Sequence, residues 1–304
     1  MNAARLGAPL LLLVVLATGC QDRHNEVAVF HAASLARTFK QASDAFTREQ
    51  PQYRVRLEVS GSQTAARKVA ELGMRADVIA VADVRVIDDI LIPEHATWKL
   101  GFATNELVIA HDAHSRFTEE ITTDNWPTVL LRPGVRLGCV DPDLAPIGYR
   151  TLHSWQLAEK HSDANAGLSQ KLRARCVAEQ IMPDEGELVR LLVSRSVDYV
   201  FLYRSTAFEQ RLKVTRLPAD CNLGDRQRAA DYAQARVDVR MKRGQARMAI
   251  IGAPILYGVS IPRSAPNRAG GAAFVDFLLG EPGNQILKRS GFAPIPNQVR
   301  PAGE

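Results

Sequence analysis

Val29-Phe30-His31-Ala32-Ala33-Ser34-Leu35 decides how this chain is read. An apolar strand runs into small residues, then a hydroxyl, then a segment carrying Leu35, Phe39, Ala42 and Phe46 at helical spacing. A strand that ends on small residues lets backbone come close to a ligand. Ser34 falls where a helix N-cap belongs, with free N–H groups and the positive end of a helix dipole behind it. That pattern can hold an anion without a fixed positive charge. A second copy follows, with Val55–Val59 leading into Ser60-Gly61-Ser62 and a helical pattern from Ala65 to Leu72. One such unit reads equally well as a plain cap; two so close together point to a binding cleft.

Alternation continues along the chain. Strands are expected at Glu26–Phe30, Arg54–Val59, Val78–Val81, Glu106–His111, Val135–Val140, Tyr199–Tyr203 and Tyr257–Ile261, with helices at Tyr149–His161, Glu187–Ser194 and Gly270–Leu279. The spacing argues for α/β lobes with largely parallel sheets covered by helices, and ligands in such sheets bind at the carboxyl ends of the strands. The middle block has its own alternation, so residues 26–112 plus 253–304 are expected to form one lobe and 113–252 a second inserted into it. Arg216 to Met248 is Arg-rich and poor in strand pattern, and reads as surface structure with an amphipathic helix.

Residues 1–19 read as an export signal: Arg5 precedes the apolar run Leu10–Leu16, which ends in Ala17-Thr18-Gly19-Cys20. Cysteine directly after small residues resembles the lipobox of bacterial lipoproteins, although Ala17 stands where that motif usually has leucine. Cys20 is thus the expected lipidation site, ordinary export being the alternative, and residues 20–25 read as a polar tether. The apolar run is too short for a comfortable membrane span. The net charge of +5 comes from scattered arginines, with no basic run or aromatic–basic interleaving, so nucleic acid is not an expected partner. Of the remaining cysteines, Cys139 sits in a core-strand pattern and is expected as a free thiol, which leaves Cys176 and Cys221 as the pair that could oxidise, bridged or not. No metal-ligand spacing, G-x-S-x-G elbow, H-E-x-x-H or P-loop is present, and His31, His111 and His114 have no nucleophile to activate, so an enzyme is not expected.

Read together, several short motifs carry a resemblance. They are Phe30–Leu35, Ser60-Gly61-Ser62, Ala76–Asp83, Phe102–Val108, Asp141-Pro142-Asp143 with Pro146–Arg150, Tyr199–Tyr203 and Tyr257–Pro262. In this order and spacing, the mature chain resembles the substrate-binding proteins of molybdate/tungstate ABC importers, the ModA and WtpA type. The Ile92–Ala96 and Trp98 stretch looks more like the archaeal-type, tungstate-binding branch.

The resemblance implies a two-lobed periplasmic-binding-protein-like fold of type II, each lobe a mixed, mostly parallel sheet flanked by helices, with the oxyanion in the cleft. It implies no cofactor, molybdate or tungstate as ligand, a membrane permease as partner, and a monomer outside the cytoplasm anchored through Cys20. Ser34 and Ser62 would donate hydroxyl and backbone N–H, Ile147 a backbone N–H at a helix start, the Glu185–Gly186 turn the same for the next helix, and Tyr203 its phenol. The plainer alternatives are caps for the two serines and a core role for Tyr203. Arg150 reads as an ion-pair or surface residue, and His31 as a strand-end residue.

The chain departs from the archaeal-type pattern in one respect. That branch completes an octahedral shell with two carboxylates, and the matching positions here are Ala145 and Leu202. The bound ion is therefore expected to stay tetrahedral, held by hydrogen bonds alone. Sulfate or phosphate binding, or an extracytoplasmic sensor, are the alternatives. Phosphate would need an acceptor for its proton; Asp141, Asp143, Asp184 and Glu185 are the nearby candidates, of which Asp141 and Asp143 are expected to brace the Pro146 turn.

Overall fold

A computed structural model describes residues 25–241, 244 and 246–301; the export signal, Cys20 and most of the expected tether lie outside the described residues. The first lobe grows from β1 (Glu26–Ala32), which is buried on both faces along Val27–Ala32 and pairs in parallel with β2 (Arg54–Ser60) and β3 (Val78–Val81). β2 forms the outer edge and is charged there, Arg56 donating to Glu26 at 2.8 Å. Charge on an edge strand discourages pairing with another chain. β4 (Leu100–Thr104) lies on the far side of the same sheet.

The second lobe contains β5 (Leu107–His111), β6 (Leu137–Val140), β7 (Ile181–Met182), β8 (Tyr199–Tyr203) and β9 (Lys213–Arg216), in the order β7-β6-β8-β5-β9. β10 (Arg236–Val239) and β11 (Met248–Ile251) make a separate antiparallel ribbon. The chain then returns: β12 (Leu256–Ser260) inserts between β3 and β4, and β13 (Ala293–Pro294) closes the first sheet as β13-β4-β12-β3-β1-β2. Phe39 and Phe46 of the first long helix, Ala36–Glu49, pack on Phe274, and Phe46 also on Phe277, of the helix Arg268–Leu279. This aromatic cluster seats the C-terminal segment in the lobe where the chain began.

The structure alters several expectations. Both sheets are mixed, but only the β2-β1-β3 and β7-β6-β8 portions are parallel; the strands on the returning side run antiparallel. β5 pairs with β8 and β9, so the chain passes between sheets at Asn105–Glu106, ahead of the expected crossing at 111–114. Among the described residues, the Arg-rich block from Arg216 holds no long helix. It forms a four-residue helix, Ala229–Tyr232, and the β10-β11 ribbon, with Val237 and Val239 turned inward between exposed polar residues.

The cysteine pairing also differs. Cys139 bonds to Cys176, their Cα atoms 5.8 Å apart, and among the described residues Cys221 is the free thiol, buried. Parallel pairing of β6 with β7 brings the chain just ahead of Ile181 beside Cys139. Cys221 is instead held in a turn, its Sγ donating to the Pro218 carbonyl at 3.6 Å. Peptide mapping of the unreduced chain from Gln21 onward is expected to recover a Cys139–Cys176 linked pair and a Cys221 that alkylates only after unfolding. A Cys176–Cys221 pair would contradict the arrangement.

Candidate functional site

The two lobes meet over a nearly closed cavity of about 10 Å³. That is far below the usual range of roughly 300–1,000 Å³ for drug-sized ligands and close to the room one water needs, so only a compact group enters, and only as the walls yield around it. Its first-lobe wall is Ala32, Ala33, Ser34, Gly61, Ser62 and Ala82; its second-lobe wall is Ala145, Pro146, Ile147, Asp184, Glu185 and Tyr203. No lysine or arginine lines it.

Each hydroxyl in this wall is held from behind. Ser34 lies in a single 3-10 turn, Ala33–Leu35, that carries β1 into the helix Ala36–Glu49, and its Oγ accepts from the buried Tyr257 hydroxyl at 3.0 Å. Ser62 is the first residue of the helix Ser62–Ala70, with Gly61 as N-cap, and its Oγ accepts from the Ala82 N–H at 2.9 Å. Neither serine caps a helix, which corrects the placement of Ser34 at an N-cap. Tyr203 ends β8, and its Oη accepts from Arg150 Nη1 at 2.9 Å. A hydroxyl has one proton to give; when its oxygen accepts a bond from behind, that proton is free to point forward. Burial pushes the Tyr203 phenol well up from its ordinary acidity, against the pull of Arg150, so it is a neutral donor.

Backbone donors complete the wall. Helix Pro146–Lys160 starts at the cavity with Pro146 at its first position, so Ile147 supplies its first N–H; the first turns of a helix leave such groups without intrahelical partners. Helix Glu185–Val193 starts beside it, with Asp184 as N-cap accepting from Glu187 N–H at 3.1 Å. Gly186 lies along an adjoining groove of about 890 Å³ and does not line the cavity itself. Ala145 stands in the cavity wall, whereas Leu202 is buried one position before Tyr203 and does not reach it.

Glu185 is buried, and its Oε1 accepts from the Tyr203 N–H at 2.9 Å. Its Oε2 makes no hydrogen bond of ordinary geometry, although the Thr206 hydroxyl lies near enough to draw its acidity. Burial outweighs these contacts and pushes the carboxyl up to about 8, so at neutral pH it carries its proton. Asp141 Oδ1 accepts from Asp143 N–H and so braces the turn ahead of Pro146. Asp143 faces away, bonded to Arg240 N–H and paired with Arg247.

Sequence reasoning did not find what lies behind the cavity. Of the two readings of Arg150, the ion pair holds and the surface position does not: it is fully buried, pairs with Asp83 at 3.1 Å, and besides Tyr203 donates to the Ala82 carbonyl at 2.6 Å. Tyr149 also donates to Asp83, at 2.8 Å. Burial raises Asp83, but Arg150 and Arg85 more than reverse this and hold it at about 2. His31 is buried behind the strand end, where burial lowers it to about 4, and it stays outside the cavity wall. His111 bonds to Thr118, and His114 is an exposed partner of Asp112.

The approach of the lobes is close. A Cβ at Gly61 would meet the Leu144 carbonyl oxygen, in the opposite lobe, at 2.4 Å. Gln63 donates across the same boundary to the Pro142 carbonyl at 3.0 Å, and Thr38 to Glu209 at 2.7 Å.

Comparison with known proteins gives a consistent result. The family model described as bacterial extracellular solute-binding protein matches residues 27–293. An uncharacterized solute-binding protein of Petrotoga mobilis is 40% identical, covering 89% of this chain and 84% of its own. The molybdate/tungstate-binding protein WtpA of Pyrococcus abyssi is 30% identical over 99% of this chain and 97% of its own. Among solved structures, the periplasmic molybdate-binding protein of Azotobacter vinelandii matches with a TM-score of 0.65 at 18% identity, covering 90% of this chain and 99% of its own.

The Glu185 environment predicts a pH signature. Below its ordinary value of 4.5 the carboxyl is protonated whether the chain is folded or not. As pH climbs from there to about 8, the unfolded chain ionises it and the folded chain does not, so its contribution to stability is progressively lost. Glu185→Gln, which can still accept from Tyr203 N–H, should flatten this dependence and melt a few degrees above the native chain at pH 8. Parallel melting curves for the two chains from pH 5 to pH 8 would contradict it.

Proposed function

Because the chain belongs to the family of bacterial extracellular solute-binding proteins, we propose that it captures molybdate or tungstate as an intact tetrahedral dianion and delivers it to the membrane permease of an ABC importer. The family works outside the cytoplasm; anchoring through a lipid on Cys20, and action as a monomer, belong to the same proposal. The observation that carries the ligand is the state of the three hydroxyls. Ser34, Ser62 and Tyr203 each accept from behind, so each presents a proton to the cavity.

A wall of donors selects an ion that is all acceptor. Each bond from these groups to a dianion is charge-assisted, and the starts of the helices Pro146–Lys160 and Glu185–Val193 add N–H groups and favourable dipoles. Phosphate at neutral pH mostly carries a proton and needs an acceptor for it. Glu185 is itself protonated there, so it offers phosphate no ionised partner, and Asp184, the other carboxyl in the wall, has its Oδ1 engaged by the Glu187 N–H. With Ala145 in the wall and Leu202 outside it, neither position supplies a carboxylate to the ion's metal centre. Sulfate shares the charge and shape of molybdate, and its exclusion falls to cavity size.

Calorimetric titration of the chain from Gln21 onward with molybdate, tungstate, sulfate and phosphate tests this reading. Tight binding of the first two, weak sulfate and no phosphate is expected. Ser34→Ala and Ser62→Ala should each weaken molybdate by about 10- to 100-fold, the worth of one hydrogen bond to a charged group. Gly61→Ala should weaken it by at least about tenfold, since contact with Leu144 props the lobes apart. Phosphate binding with no response to molybdate would overturn the reading.

A further inference from the structure

We propose that Arg150 is a positioning residue of the anion site, and that by joining Tyr203 to the opposite lobe it makes lobe closure and anion recognition a single event. The proposal rests on the oxyanion reading above.

Arg150 and Tyr203 belong to the second lobe, Ala82 and Asp83 to the first. The guanidinium spans them: Nη1 donates both to Tyr203 Oη at 2.9 Å and to the Ala82 carbonyl at 2.6 Å, and Nη2 pairs with Asp83 at 3.1 Å. The peptide N–H of Ala82 in turn donates to Ser62 Oγ. The cavity's hydroxyls on opposite walls, Ser62 and Tyr203, are thus linked through one residue's backbone and one guanidinium. Arg150 itself does not line the cavity.

Two consequences follow from this wiring. A phenol whose oxygen accepts from a guanidinium is a stronger donor, and its own proton stays available to the cavity. The site therefore receives the influence of a fixed positive charge through Tyr203, with no cation in the wall to bind any passing anion. In addition, separation of the lobes would break Arg150 from Asp83 and Ala82 together. Asp83 would keep Arg85, its neighbour in the same lobe, at 3.2 Å, so the unpaired charge left facing the cleft would be that of Arg150.

A buried ion pair can also be merely structural, and the test must separate the two roles. Tungstate affinity is measured by calorimetry for the native chain from Gln21 onward, for Arg150→Met, for Tyr203→Phe and for the double variant, with apo melting temperatures as the folding control. If Arg150 acts through Tyr203, each single change weakens tungstate by about 30-fold and the double change by well under the roughly 1,000-fold product, because coupled residues are not additive. Small-angle scattering at saturating tungstate should show the native chain contracted and Arg150→Met less so. Losses that multiply, or native affinity in Arg150→Met, overturn the proposal while leaving the oxyanion reading intact. Failure of the native chain to bind either molybdate or tungstate removes that reading first. If Arg150→Met lacks a melting transition, Arg150→Lys takes its place in the same cycle; it keeps the charge but loses the fork, so it should restore only part of the affinity, and full restoration overturns the positioning role.

Discussion

The direction of three protons governs this site. A buried hydroxyl is an ambiguous group, able to give or to accept, and a cavity built of such groups would take protonated and unprotonated ions alike. Here the balance is tilted toward donation from outside the cavity. Tyr257 donates to Ser34, the Ala82 peptide to Ser62, and Arg150 to Tyr203. Each partner takes one lone pair and leaves the hydroxyl's own proton available to the cavity, and the helix starts at Ile147 and Glu185 add backbone N–H groups that cannot accept at all.

The need to hold those partners explains much of the surrounding architecture. Ser34 and Ala82 sit at the ends of adjacent parallel strands, so β1 and β3 bring one serine and the peptide that orients the other to the same edge. Tyr257 reaches Ser34 only because β12 returns from the second lobe and inserts beside β3. The wide gap in sequence between partners, residue 34 with 257 and 83 with 150, is the cost of building one cavity from two lobes. Gly61 belongs to the same constraint: it is the point at which backbone meets backbone across the boundary, and any side chain there would hold the walls apart.

What could be read from the sequence was local. The strand-to-helix turns at Ser34 and Ser62 are marked by residue types and spacing, and the two-lobed alternation follows from strands and helices in turn. The role of the serines was less legible: hydroxyl residues ahead of helices suggest caps, yet Gly61 caps one helix and a 3-10 turn precedes the other. Arg150 gave no local sign, because a buried arginine is intelligible only once Asp83, Ala82 and Tyr203 converge on it from other elements. The cysteines failed for a similar reason. Core burial of Cys139 was correctly suggested by its apolar strand, but the pairing depended on β7 lying beside β6, which a two-residue strand does not announce. Likewise β5 falls inside the expected first lobe, residues 26–112, and only its hydrogen bonds to β8 and β9 assign it to the second.

The central claim is that the site holds its ion by donated hydrogen bonds alone, with no oxygen of the protein joining the ion's central atom. X-ray absorption at the tungsten edge of the tungstate-loaded chain tests this most directly. Four short tungsten–oxygen distances and an edge matching free tetrahedral tungstate are predicted. A shell expanded to six oxygens would contradict the account, because it would require oxygen ligands from the protein where the positions of Ala145 and Leu202 supply no carboxylate.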